Sequence, residues 1–277
     1  VTAPPSSPGR PPTPGPAPAT GSPPATGPAP ATGSPLATGP APTSGSPLAT
    51  GPAPTAGSPL ATGPAPTAGS PLASGREADV FALDEGRVLR RYRRAADVTA
   101  EIAVMRHVAG LGYPVPAVYE AGGSDMIMER LDGPTMAQAL ARGSLGIEEG
   151  AAHLAGLLRR LHELPPGPGA APVLHLDLHP ENVLMTSRGP VVIDWCNARP
   201  GEPDLDTGLT ALILAQVAVD ERHEWSDGAG RLLAAFLAAA PGRPARLLDQ
   251  VVSFRDRQLS GTEPLNAAAE RVLACAR

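Results

Sequence analysis

An apolar run and a β-branched run joined by a turn, with Asn182 heading the first and Asp194 closing the second, leave the middle of this chain one compact way to fold. The runs are Asn182-Val183-Leu184-Met185 and Pro190-Val191-Val192-Ile193, and residues 186–190 form a turn cluster that includes Gly189. That pattern reads as a hairpin. A hairpin of this length returns Asp194 beside Asn182, and a loop running from Asp177 into Asn182 turns both of those side chains into the same cleft. An amide oxygen and a carboxylate then lie together. Hard oxygen donors of that kind suit magnesium, which takes a few protein oxygens plus substrate phosphates, better than a site of His and Cys would.

The composition changes abruptly near residue 74, which bounds how much of the chain shares that fold. Residues 1–74 are nearly all Pro, Ala, Thr, Gly, Ser and Leu, with Arg10 their one charged side chain. A twelve-residue unit starts at Gly21, with near-copies from Gly33, Gly45 and Gly57 and a partial copy from Gly69 that runs on into the remainder. The unit lacks the apolar face that stacking into a solenoid requires, so an extended, disordered tail is expected. Its functional part is expected to be minor, whether it is a spacer or an extension from an upstream start. The folded domain is then 75–277, divided into 75–131 and 132–277.

Several function classes are disfavoured by what is missing. No basic cluster leads into an unbroken apolar core, and no stretch is long enough to span a bilayer, so a cytoplasmic chain without a membrane partner is expected. Cys196 and Cys275 give neither a disulfide framework nor zinc spacing. The net charge of −5 carries no basic stripe with interleaved aromatics, which speaks against nucleic acid. All 22 basic residues are Arg, and the chain contains no Lys.

Before the hairpin, residues 79–83 and 87–92 read as strands around an Asp84-Glu85-Gly86 turn. A helix over 97–109 follows, with Val98, Ile102, Met105 and Val108 on one face and Gly110 as its stop. Residues 126–131 read as a further strand. Helices are expected over 135–141 and 147–164, the second with its leucines on a 3.6 period and Pro165-Pro166 closing it. His153 and His162 on that helix read as surface or packing residues. An apolar helix over 209–219 is expected to be capped by Asp204 or Asp206, and two or three amphipathic helices fill 230–277.

The wording His175-Leu176-Asp177-Leu178-His179-Pro180-Glu181-Asn182-Val183-Leu184, followed by Ile193-Asp194-Trp195, resembles the aminoglycoside phosphotransferase family of protein-kinase-like small-molecule kinases. The resemblance covers residues 75–277. It implies an α+β, two-lobed protein-kinase-like fold, with a small antiparallel-sheet lobe and a larger helical lobe. It also implies ATP and Mg²⁺ as cofactors and a small-molecule hydroxyl as acceptor, of the aminoglycoside, sugar or amino alcohol type. Asp177 becomes the base for that hydroxyl, and Asn182 and Asp194 the metal ligands. Arg90 stands where the family places a phosphate-binding Lys, and Glu101 where it places that cation's partner. Met128, Glu129 and Leu131 fall on the segment that meets the nucleotide base. His175 is implied to brace the catalytic loop and Asp206 to anchor it. The missing Lys and the single glycine in Gly75-Arg76-Glu77-Ala78-Asp79 leave one rival, a nucleotide-binding pseudokinase serving as a regulatory or scaffolding module.

Overall fold

In the computed structural model, residues 70–75, 77–94, 98–166, 171–259 and 265–276 are described. Residues 1–69 of the expected tail lie outside them. A five-stranded antiparallel sheet of order β1-β2-β3-β5-β4 opens this part, built from β1 (Ala73–Ser74), β2 (Ala78–Ala82), β3 (Arg87–Tyr92), β4 (Val118–Gly122) and β5 (Asp125–Glu129). The β2–β3 hairpin falls where the Asp84-Glu85-Gly86 turn was read. Asp84 fixes that turn by accepting from the Gly86 amide at 2.9 Å and from Arg87 Nε at 2.8 Å.

Ala73 and Ser74 pair with Val80 and Asp79, and the Leu72 amide donates to the Val80 carbonyl at 2.8 Å. The sheet therefore begins inside the last partial repeat copy, earlier than the boundary at Gly75. Composition could not reveal this, because an edge strand of two small residues needs only backbone hydrogen bonds.

Helix α1 (Thr99–Gly110) packs Ile102, Met105 and Val108 inward, as their spacing requires. It ends one residue beyond the expected 109, on the glycine read as its stop. Gly110 is still helical, and Gly112, at φ 78°, makes the reversal. Strand β5 ends at Glu129 rather than 131 because the Arg130 amide turns to the Gly86 carbonyl at 2.9 Å. Gly133, at φ 132°, then passes so close to the Met185 backbone that a side chain has no room. The Met185 amide donates to the Pro134 carbonyl at 2.8 Å, tying this crossing segment to the hairpin over 183–192.

The remainder is helical: α2 (Met136–Ala141), α3 (Ile147–His162), α4 (Pro203–Val219), α5 (Ser226–Ala239), α6 (Leu248–Gln258) and α7 (Leu265–Cys275). A reciprocal Thr135–Gln138 capping box starts α2. Leu154, Leu158 and Leu161 of α3 are fully enclosed. Each such side chain contributes about 1.5–3 kcal/mol relative to exposure. Helix α4 starts six residues before 209, so Asp204 and Asp206 sit in its first turn and neither caps it. Both carboxylates are used elsewhere, as described below.

Two short pairings complete the frame. Strands β6 (Val173–Leu174) and β9 (Arg199–Pro200) pair at the two ends of the segment that holds the hairpin, and β7 (Val183–Thr186) with β8 (Gly189–Val192) forms the hairpin read from the sequence. Trp195 is wholly buried behind that hairpin, edge-on to Tyr113 at 5.6 Å and to His175 at 4.8 Å, and its Nε1 donates to the Val192 carbonyl at 3.0 Å. No helix among the described residues is long and apolar enough to cross a membrane.

Candidate active site

The segment from His175 to Asn182 is an irregular loop whose shape is imposed from beneath. Leu176 takes φ 60°, a left-handed conformation that a bulky side chain resists by roughly 1–2 kcal/mol. Asp206, fully buried in the first turn of α4, holds it there. Its carboxylate accepts from the His175 amide at 2.9 Å and the Leu176 amide at 2.8 Å, and His162 Nε2 lies 3.0 Å away. Thr210, one turn further along α4, donates to the Leu178 carbonyl at 2.8 Å. His162 is thus a packed residue joined to the anchor, a partnership between positions 44 residues apart that no local pattern signals.

His175 is buried with its Nε2 3.1 Å from the Ile193 carbonyl, which links the loop to the end of the hairpin. Burial pushes its pKa down, so it is neutral and braces the loop. The Ile193 amide donates to the Asn182 carbonyl at 3.0 Å, and through that bond Asp194 returns beside Asn182 as the hairpin predicts. Asp194 itself adopts φ 64°. Two left-handed non-glycine residues within one site mark a backbone held in place by its surroundings.

The chain thus brings Asp177, Asn182 and Asp194 to one cleft of about 910 Å³, also lined by Arg90, Met128 and Leu131. That volume lies within the range of small-ligand sites. Asn182 Nδ2 donates to the Asp177 carbonyl at 2.9 Å, which turns its amide oxygen away from the loop. His179 Nε2 lies 3.2 Å from the same nitrogen, and burial followed by the charge of Arg255 lowers the His179 pKa to about 4.

Arg90 and Glu101 meet as expected, with Nη1 to Oε1 at 2.9 Å in a buried pair. The other arm reaches further than the sequence indicated: Arg90 Nη2 contacts Asp194 Oδ1 at 2.5 Å. Burial works against the Arg90 charge, but the two carboxylates outweigh it and raise its pKa. Asp194 stays ionised for the matching reason, since the Arg90 charge overcomes its desolvation. Glu101 is pushed upward by burial and is held by Arg90 and by the Tyr92 hydroxyl.

Met128 is buried on the cleft wall, and Leu131 lies on it just past the strand end. Glu129 also borders the cleft, but its carboxylate is engaged outside it, by Arg188 Nη2 at 2.8 Å and the Ala117 amide at 3.2 Å. Its side chain is therefore a tether, and its amide donates to the Ala117 carbonyl at 2.8 Å. Cys196 is a free thiol whose pKa is raised by burial and by neighbouring Asp194.

One functional contact had no signal in the sequence. Arg255 of α6 places Nη1 3.2 Å from Asp177 Oδ1, across 78 residues of chain. An Arg in an amphipathic helix looks like any solvated cation until the helix is docked. Among the described residues, no group of three or more His, Cys, Asp or Glu is arranged to hold a metal. Asn182 and Asp194 nevertheless fit magnesium, because they present an amide oxygen and an ionised carboxylate and leave the other positions to phosphate and water.

A search of curated proteins gives no match. Among solved structures, the chain resembles ADP-bound aminoglycoside phosphotransferase APH(2'')-Ib at 16% identity and a TM-score of 0.46, covering 73% of this chain and 90% of that one. It resembles a choline/ethanolamine kinase family protein from Mesorhizobium loti at 17% identity and a TM-score of 0.44, covering 73% and 85%. For amicoumacin kinase hAmiN in complex with AMP-PNP, Ca²⁺ and Ami, the values are 12%, 0.46, 72% and 85%. The sequence match is the firmer finding. The model of the phosphotransferase enzyme family matches residues 68–172 and 167–251, well over half of the 277 residues, and begins just before the first strand. The chain belongs to the phosphotransferase enzyme family.

Proposed function

We propose that this phosphotransferase moves the γ-phosphoryl group of ATP, with Mg²⁺, to a hydroxyl of a small molecule. The observation that carries the reading is the convergence of Asp177, Asn182, Asp194 and the Arg90–Glu101 pair on one cleft. Met128 and Leu131 supply an apolar wall for a nucleotide base. Arg90 offers a fixed guanidinium to the triphosphate, with Glu101 holding one arm so that the other can follow phosphate oxygens. Asp177 accepts the proton of the attacking hydroxyl. Asn182 and Asp194 hold magnesium, which when bound would offset charge building on the phosphoryl oxygens. The protein's contribution is alignment and preset charge, with no covalent intermediate.

ADP formation measured with MgATP against a panel of hydroxyl acceptors tests the reading. Asp177→Asn should lower turnover by about 10²–10⁴ while leaving ATP affinity near that of wild type. Asp194→Ala should weaken magnesium-dependent ATP binding more than Asn182→Ala, because it removes a full charge. ATP binding without transfer to any acceptor would favour the regulatory-module reading instead. Equal ATP affinity in wild type and Asp194→Ala would remove Asp194 from the metal site.

A further inference from the structure

The cleft wall beside Asp177 is built by α6, which brings Arg255, Arg257 and Gln258 to it. Arg255 is fixed in place. Its Nε donates to Gln216 Oε1 of α4 at 3.0 Å, and its Nη1 lies 3.2 Å from Asp177 Oδ1 and 3.3 Å from Gln258 Oε1. Its side chain is 15% exposed, and its Nη2 makes no hydrogen bond among the described residues. Arg257 is exposed on the same wall, its guanidinium 5.9 Å from the centre of the Phe254 ring.

Among the described residues, no acid of the cleft lining forms an ion pair with Arg257. Glu77, Glu129 and Asp132 lie on the sheet and the segment that leaves it, and Asp194 meets Arg90. Asp177 meets Arg255, which leaves exposed Glu181 as the remaining acid on the lining. A hydroxyl that reaches Asp177 arrives within a few ångströms of a preset guanidinium. An acceptor with an ammonium group near that hydroxyl would set like charges together, which is unfavourable in a partly desolvated site. An acceptor with an anion there gains a planar, two-pronged donor.

We infer that the acceptor carries an anionic group, a carboxylate or a phosphate, within a few bonds of the hydroxyl that is phosphorylated, and that Arg255 and Arg257 bind it. The inference rests on the phosphotransferase reading and narrows it to an acceptor charge. In the Michaelis complex the anion draws Arg255 away from Asp177 Oδ1, and that oxygen turns to the hydroxyl. The hydroxyl oxygen bonds to the γ-phosphorus, and the bond from phosphorus to the bridging oxygen breaks with its electron pair leaving on ADP. The proton passes to Asp177.

The test uses acceptors of matched skeleton and different charge: glycerate, glycerol 3-phosphate, glycerol and 3-amino-1,2-propanediol, with gluconate, glucose and glucosamine as a second set. ADP release is followed with full-length protein and MgATP. The anionic member of a set should have the highest kcat/KM, and glycerate against glycerol 3-phosphate separates carboxylate from phosphate as its source. Arg255→Gln should lower kcat/KM for the anion by roughly ten- to a hundredfold, with Arg255→Lys retaining part of it. Arg257→Gln should raise KM for the anion by a larger factor than it raises KM for the neutral acceptor. A neutral or aminated acceptor as the best substrate overturns the inference, and so does ATP turnover that no anionic member stimulates. Loss of ATP binding altogether would instead overturn the phosphotransferase reading itself.

Discussion

Removing the Asp206 carboxylate should damage catalysis more than its distance from the chemistry suggests. Asp206 contacts neither Asn182 nor Asp194, yet it accepts from two successive backbone amides, those of His175 and Leu176, at 2.9 and 2.8 Å inside a fully buried region. Asp206→Ala leaves both donors without an acceptor, at about 1–3 kcal/mol each. Part of that is recovered, because Leu176 is released from a left-handed conformation that itself costs roughly 1–2 kcal/mol. The net loss of folding stability should then be about 2–4 kcal/mol. Relaxation of Leu176 moves Asp177, the next residue, and a displacement of about 1 Å should cost around a hundredfold in turnover. Asp206→Asn keeps one acceptor oxygen and should fall between wild type and Ala on both measures. Urea unfolding gives the stability change, and ADP release under MgATP, at a denaturant-free temperature where the variant is folded, gives the activity. A folded Asp206→Ala protein with turnover within twofold of wild type would refute the claim that this carboxylate sets the loop.

Arg90→Ala should abolish most turnover, while Arg90→Lys should retain only a part, because one ammonium cannot reach Glu101 and Asp194 together as the guanidinium fork does; equal activity of wild type and Ala would place the phosphate cation elsewhere. The depressed His179 pKa, about 4 against an ordinary value of 6.5, means that the unfolded chain binds a proton which the folded chain refuses. Stability should therefore decline as pH falls from about 6.5 to 4, and His179→Gln should flatten that decline in pH-dependent urea melts. Deleting residues 1–69 should leave stability and turnover unchanged, whereas deleting through residue 75 removes β1 and should lower the melting temperature by a few degrees, about the shift expected for 1 kcal/mol or less.

Local pattern carried much of this molecule. The β7–β8 hairpin, the leucine face of α3 and the apolar face of α1 follow from periodicities of two and 3.6 residues, and these survive in any tertiary setting because backbone geometry alone produces them. Asp177, Asn182 and Asp194 were legible for the same reason: a short loop and a hairpin of fixed length leave little freedom in where they end. The pairing of Arg90 with Glu101 came from the family resemblance, and the structure brings the two together at 2.9 Å.

Other features were decided only when distant parts of the chain docked. Arg90 reaches Asp194 across 104 residues and Arg255 reaches Asp177 across 78, separations that no local pattern encodes. Asp204 and Asp206 looked equivalent as helix caps. In the fold, one receives Arg246 and the Arg243 amide and the other receives the catalytic loop, because burial leaves each carboxylate only the donors that packing brings to it. The left-handed Leu176 has no sequence signal at all, since its conformation is imposed by Asp206 through bonds that exist only in the assembled core. The sequence by itself determined which residues form strands and helices, and that Asp177, Asn182 and Asp194 come to one cleft, through short-range geometry. The tertiary structure decided which cations those carboxylates face, because long-range contacts form only once the core has closed around them.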